Sequence, residues 1–198
     1  MAEISASQVR ELRDSSGAPM MDCKKALDET AGDLNLAAEW LRKKGIATAA
    51  KKAGREAKDG LISSYIHHNG RVGVLLEVNC ETDFVAKTDP FKELCRDVVL
   101  HIASMSPRYD SRDQVPAELV AKEREIRAAQ IDPKKPKEMQ EKILEGGINK
   151  FFAEVCLLEQ PFVKDDSRTI EQLRAEIVGK LGENMVIRRF VRFEIGGN

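Results

Sequence analysis

The chain of 198 residues has no apolar run near the roughly 20 residues that span a bilayer. Its N-terminus is polar within ten residues and lacks the apolar region of a secretion signal. A cytoplasmic protein with no membrane partner is therefore expected. Charge of one sign is missing too. The formal net charge is -1, which exerts no global pull towards nucleic acid or a membrane surface. Of the four cysteines (Cys23, Cys80, Cys95 and Cys156), none forms a Cys-x-x-Cys pair, and the three histidines complete no zinc spacing. His67 and His68 are neighbours on an expected strand, so they point to opposite faces and do not grip one metal. Buried reduced thiols and surface histidines are the expectation. No glycine-rich phosphate loop ends in Lys-Ser or Lys-Thr, and neither a Gly-x-Ser-x-Gly elbow nor a His-Glu-x-x-His pair occurs. The 33 acids lie mostly on helical stretches beside lysines, as solvated faces do. These absences point away from an enzyme and towards a protein that acts by binding, with no metal and no cofactor. There is no internal repeat and no low-complexity tract.

What the chain does hold is 42% apolar residues, enough for a real core, and 33% charged residues, which suits a soluble, helix-rich protein. Ser5 and Gln8 have capping-box spacing. Val9 and Leu12 follow on one helical face, and Gly17 is a natural stop. Pro19 can open a second helix, in which Cys23, Ala26 and Leu27 recur at helical spacing. Ala31-Gly32-Asp33 reads as a turn with Asp33 capping a third helix. That helix carries Ala37, Trp40 and Leu41 on one face and is expected to end at Gly45. The unit of about 45 residues is near the lower size limit for independent folding. Met20 and Met21 sit at the join of the first two helices, where at least one should be exposed. Methionine there serves equally as core filler or as an adaptable contact.

A basic stretch follows, with Lys51, Lys52, Arg55 and Lys58. On a helix, Lys51, Arg55 and Lys58 would share a face. No aromatic residue is interleaved to stack on bases, so a solvated linker helix over 51–59 is favoured over direct contact with nucleic acid. Residues 61–68 and 71–79 form the clearest strand pair, because Asn69-Gly70 tolerates the positive φ of a tight hairpin turn. One face carries Leu61, Tyr65, Val72, Val74, Leu76 and Val78 and calls for a cover of helices. Helices are expected from near Pro90, over 117–130, through Met139 to Val155 with Gly146-Gly147 as an interruption, and over 169–181. Residues 185–195 alternate as a strand that joins the hairpin.

The most informative stretch is Glu77-Val78-Asn79-Cys80-Glu81-Thr82-Asp83-Phe84-Val85-Ala86-Lys87. It begins as the end of the second strand and turns at Thr82, a residue suited to cap a helix. Asp83 then lies in the first turn, where the helix dipole favours an acid. The turn cannot run far, because Pro90 pushes Asp89 from helical geometry and can start a new helix. Phe84 on such a turn either plugs the local core or projects as a knob. Single buried aromatics are common, so the residue pattern alone leans to the core.

This stretch resembles the second signature of the elongation factor Ts family. Leu12-Arg13-Asp14-Ser15-Ser16-Gly17-Ala18-Pro19-Met20-Met21-Asp22-Cys23-Lys24-Lys25-Ala26-Leu27 resembles the first, with Ser16 in place of the commoner threonine and Pro19 in place of glycine. The likeness extends over nearly the whole chain and is to the short bacterial form. The resemblance implies an α+β fold: an N-terminal three-helix ubiquitin-associated-like domain over 1–50, then a small antiparallel sheet covered by helices over 60–198. It implies a guanine-nucleotide exchange factor in translation elongation, not an enzyme, whose partner is elongation factor Tu in its GDP-bound and nucleotide-free states. It also implies that Asp83 and Phe84 enter the partner's nucleotide-binding domain and disturb the magnesium and phosphate site. The partner-binding set it implies is Leu12, Arg13, Met20, Met21, Thr82, Asp83, Phe84 and Val85. Exposed edges of so small a sheet also invite pairing with a second copy of the chain, a homodimer. Two rivals remain at this point. An adaptor built on the three helices and the basic stretch leaves Asp83-Phe84 unexplained, and an unrecognised enzyme would turn over without any partner.

Overall fold

The computed structural model describes residues 4–197, and the α+β architecture is as expected. Among the described residues there are eight α-helices and a three-stranded antiparallel sheet of order β1-β2-β5. The N-terminal helices are α1 (Ala6–Ser16), α2 (Met20–Glu29) and α3 (Leu34–Lys52). The hairpin is β1 (Asp59–Ile66) and β2 (Val72–Cys80), followed by the one-turn α4 (Asp83–Ala86) and by α5 (Asp89–Met105). Then come α6 (Ala117–Ala129), α7 (Lys137–Val155), a small hairpin of β3 (Pro161–Phe162) and β4 (Asp165–Thr169), α8 (Ile170–Leu181) and β5 (Met185–Glu194). No helix among the described residues is long and apolar enough to cross a membrane. The chain divides into two compact units: Met1–Ile62 with Glu77–Cys95 and Gln172–Ile187, and Ser63–Leu76 with Arg96–Glu171 and Arg188–Asn198.

In the first unit the local signals act as their chemistry dictates. Ser5 accepts from the Gln8 backbone N–H while Gln8 reaches back to the Ser5 N–H, a complete capping box. Gly17 ends α1 in the left-handed conformation at φ 64°, and the Asp33 carboxylate accepts from the N–H groups of Asn35 and Leu36, both at 2.9 Å. Val9, Leu12, Cys23, Ala26, Leu27 and Ala37 form one buried cluster. Two expectations fail. Pro19 precedes α2 as its cap residue and is not its first helical residue. Gly45 does not end α3, which runs on to Lys52. Its missing side chain serves packing instead. A Cβ on Gly45 would lie 3.2 Å from the Ala175 carbonyl oxygen, and one on Gly179 would lie 3.2 Å from the Gly45 Cα, so α3 and α8 touch backbone to backbone. Because α3 stops at Lys52 and β1 starts at Asp59, Lys51, Arg55 and Lys58 do not share a helical face, and the expected linker helix is a turn.

In the second unit the hairpin is closed by the His67 N–H donating to the Val72 carbonyl at 2.9 Å, with Gly70 at φ 67° in the turn. Leu75 is exposed between buried Val74 and Leu76, the alternation of a strand with two unlike faces. Val115, Ile148, Phe151, Phe152, Val155 and Cys156 make a second buried cluster. Gly146-Gly147 does not interrupt α7. A Cβ on Gly147 would meet Arg127 Cδ at 2.8 Å, so this glycine admits the Arg127 side chain of α6. No sequence signal announces the β3–β4 hairpin, since Asp165-Asp166-Ser167-Arg168-Thr169 has no apolar alternation.

The expectation of surface histidines fails for His101, which is fully buried. Its Nδ1 accepts the Val163 backbone N–H at 3.2 Å, so the proton sits on Nε2 and is donated to Gln160 Oε1 at 2.9 Å. Gln160 in turn donates to the Glu154 carbonyl at 2.9 Å. Burial pulls the His101 pKa down, partly opposed by Gln160. The folded chain therefore resists a proton that the unfolded chain takes up near the ordinary histidine value of about 6.5. The contribution of the neutral ring is complete above that pH and is lost as pH falls below it. Urea titrations at pH 7 and pH 5.5 should show a larger drop in stability for the native chain than for His101→Gln. Equal drops would show that His101 does not titrate on unfolding.

Candidate functional site

The second signature forms a small, exposed, rigidly rooted projection. β2 ends at Cys80, whose thiol donates to the Thr82 carbonyl at 3.2 Å and is pushed up to about 11 by burial. It stays protonated and inert at neutral pH. Thr82 has extended backbone, and its hydroxyl accepts from the Val85 N–H at 3.4 Å, which starts α4. The helix ends within one turn, as expected, with the Lys87 N–H on the Asp83 carbonyl. Thr88 then starts the next helix, accepting from the Phe91 N–H at 3.4 Å. Asp89 is helical, contrary to expectation. The steric effect of Pro90 is a bias, and here the Thr88 cap outweighs it.

Phe84 is 78% exposed, against 9% for Val85 and 4% for Ala86 beside it. The core reading of Phe84 is thus excluded, and the knob reading holds. Burying Val85 and Ala86 forces this outcome, because a single turn cannot send three consecutive residues inward. The Asp83 carboxylate pairs with the Lys87 ammonium at 2.5 Å, and that hydrogen bond holds its pKa below the usual carboxylate range. Lys87 also lies 6.0 Å from the centre of the Phe84 ring. The tip is therefore an apolar ring flanked by one anion and one cation, all in reach of solvent.

The first signature supplies a second exposed group. Met21 is 74% and Met20 42% exposed at the start of α2, and Arg13 is exposed on α1. Leu12 is only 1% exposed and belongs to the three-helix core. Leu12 and Val85 thus lie beneath the exposed groups and not among them. Thr82 is half-buried and acts through its cap. Among the described residues no cluster of side chains could hold a metal ion.

One part of the site escaped the sequence. Glu183 and Asn184, in the turn between α8 and β5, close on the stretch before α4. The Glu183 carboxylate accepts from the backbone N–H groups of Glu81 and Thr82 at 3.1 and 3.0 Å and from the Thr82 hydroxyl at 2.7 Å. The Asn184 N–H donates to the Glu81 carboxylate at 2.6 Å. The Asn184 amide donates to the Arg55 carbonyl at 2.7 Å, and the Lys52 ammonium to the Gly182 carbonyl. Glu183 lies 101 residues from Thr82 along the chain, so no local pattern announces the contact. The only trace is a polar Gly-Glu-Asn turn between two apolar elements.

A family model described as elongation factor TS matches residues 46–196. The chain is 55% identical over 197 residues to the elongation factor Ts of Desulforamulus reducens, covering 99% of this chain and 91% of that protein. It is 56% identical over 195 residues to the elongation factor Ts of Fervidobacterium nodosum, covering 98% of this chain and 99% of that protein. Against the elongation factor Ts of Geobacter sulfurreducens it is 56% identical over 194 residues, 98% of this chain and 90% of that protein.

Proposed function

The chain belongs to the elongation factor Ts family of translation elongation factors, and from that premise we propose that it is the guanine-nucleotide exchange factor of elongation factor Tu, working in the cytoplasm. It binds the GDP-bound partner, promotes GDP release and stays on the nucleotide-free state. Asp83 and Phe84 enter the partner's nucleotide-binding domain, and the bound magnesium and phosphates lose their fixed geometry. The observation that carries this reading is the 78% exposure of Phe84 on a turn whose neighbours are buried. An apolar ring held in water gains on entering an apolar cleft, and a single aromatic anchor of this kind is worth about 2–4 kcal/mol at an interface. Each tenfold weakening of GDP needs about 1.4 kcal/mol of differential binding, so the magnitude suffices. The Asp83–Lys87 pair is exposed and cheap to open, which leaves the Asp83 carboxylate available to the partner. The chain itself performs no bond chemistry and needs no cofactor.

Residues 1–50 act as a contact module in this proposal, through Arg13, Met20 and Met21. Because Gly45 packs on α8, removing them would strip part of the first unit's own core, so substitution is the cleaner probe. Linkage supplies the test, since a factor that weakens GDP must itself be weakened by GDP to the same degree. Calorimetric titration into nucleotide-free elongation factor Tu should give tight binding, and excess GDP should weaken it by orders of magnitude. Met21→Asp should weaken binding severalfold in the same titration. Affinity indifferent to GDP would refute the exchange role.

A second copy of the chain is the other proposed partner. Ile66, Leu75, Val191 and Phe193 are 68%, 47%, 40% and 66% exposed on the strands of the second unit, and Ile66 Cδ1 lies over Gly73, where a Cβ would come within 3.0 Å of it. An apolar strand surface of this kind favours burial against its like. The proposed homodimer should scatter light with twice the chain mass at micromolar concentration and revert to monomer on Phe193→Glu. A monomeric mass for the native chain would dismiss it.

A further inference from the structure

We propose that Glu183 is a positioning residue for the Asp83-Phe84 knob: its carboxylate fixes the backbone from which α4 springs and the hydroxyl that caps it. The inference rests on the exchange reading above and adds to it a residue far from the knob in sequence. A four-residue helix has no stability of its own, since one turn costs more order than its hydrogen bonds return. Its direction is therefore set by what roots it. Val85 and Ala86 root its inner side by burial. Its start is rooted by Glu183, where one carboxylate oxygen takes the N–H groups of Glu81 and Thr82 and the other takes the Thr82 hydroxyl.

That last bond decides the cap. A hydroxyl has one proton and two lone pairs. With the proton committed to Glu183 at 2.7 Å, a lone pair faces the Val85 N–H. The hydroxyl thus cannot rotate to other acceptors, and the cap is held in one state. Bonds to a charged acceptor are the stronger kind, and the arrangement is doubled in reverse: Glu81 takes the Asn184 N–H at 2.6 Å and lies 3.6 Å from the Arg55 guanidinium. Two carboxylates, Glu183 on the N–H groups of Glu81 and Thr82 and Glu81 on the N–H of Asn184, clamp the 182–184 turn to the 81–82 stretch. The Phe84 ring is 78% exposed, with the Lys87 ammonium 6.0 Å from its centre, so its aim depends on this backbone. Small misplacements of a contact group are known to cost function without loss of fold.

The test is a double-mutant cycle on GDP release from elongation factor Tu, with Glu183→Ala, Phe84→Ala and the pair, each checked by denaturant melt. Glu183→Ala should slow release about fivefold or more, yet by less than about twofold when Phe84 is already alanine, because coupled residues are not additive. Glu183→Gln keeps an acceptor for the backbone N–H groups and should recover most of the rate, with amide exchange at Glu81 and Thr82 faster than in the native chain. Should Glu183→Ala not fold, Glu183→Gln carries the same cycle, with a loss of about twofold in the native background and none beside Phe84→Ala. Equal slowing in both backgrounds would mark Glu183 as merely structural and overturn the proposal, as would no slowing in either. Normal release by Phe84→Ala alone would instead bring down the exchange reading and this inference with it, while slow Phe84→Ala beside normal Glu183→Ala would sink only this one.

Discussion

Phe84→Ala should leave the melt of the free chain almost unchanged while removing most of its effect on the partner. A core phenylalanine cut to alanine costs about 3–5 kcal/mol through the cavity it leaves. At 78% exposure there is no cavity to make, and the change should stay within about 1 kcal/mol, as at most surface sites. The loss appears on binding, where an aromatic anchor worth about 2 kcal/mol slows GDP release more than tenfold at fixed factor concentration. Asp83→Ala should be milder, because Asp83 is an exposed charge already shared with Lys87 and a charge at a wet rim contributes less than a buried ring. Denaturant melts and release rates on the same preparations separate the two effects.

Gly60→Ala should do the reverse and damage the fold. Gly60 sits near the start of β1 at φ 148°, a conformation that side chains rarely adopt. A Cβ there would lie 2.1 Å from the Val78 carbonyl oxygen and 2.8 Å from the Asn79 Cα. Both are backbone atoms, so no side chain can swing aside. Backbone strain alone costs about 1–3 kcal/mol, and displacing the strand adds to it. A loss of about 3 kcal/mol corresponds to a fall in Tm of about 10 °C for a chain of this size. Gly54→Ala is the control: nothing lies within 4 Å of its would-be Cβ, and its melt should be level with the native one or slightly above it. Because Val78 and Asn79 lead directly into Glu81 and Thr82, Gly60→Ala should also slow exchange, in step with its loss of folded protein. A native-like melt for Gly60→Ala would mean that β1 does not approach β2 as described.

Local chemistry made much of this legible. Caps, turn glycines and strand alternation act over a few residues, so Ser5, Gln8, Gly17, Asp33, Thr82 and Gly70 could be read in place. The exposed knob is legible in the short turn after Thr82 with its charged neighbours Asp83 and Lys87, and independently in the resemblance, although a lone phenylalanine leans to the core. What stayed hidden was contact between distant segments. Gly45 looks like a helix stop until Ala175 and Gly179 are seen against it, and Gly147 looks like a break until Arg127 fills the gap. Leu12 stands in the first signature, and its side chain lies in the three-helix core. His101 and Glu183 are polar residues whose partners lie 59 and 101 residues away. Nothing around Glu183 marks it as anything but surface, whereas His101 stands three and seven residues after buried Val98 and Leu94, so only helical spacing places it on the inner face of α5.

In the proposed mechanism this chain expels GDP by means of Phe84. The direct measurement is stopped-flow release of a fluorescent GDP analogue from elongation factor Tu, with native chain and Phe84→Ala at equal concentrations of folded protein. The native chain should accelerate release by orders of magnitude with a rate that saturates as its concentration rises, and Phe84→Ala should give less than a tenth of that acceleration. Release unaffected by the native chain, or equally fast with Phe84→Ala, would contradict the account.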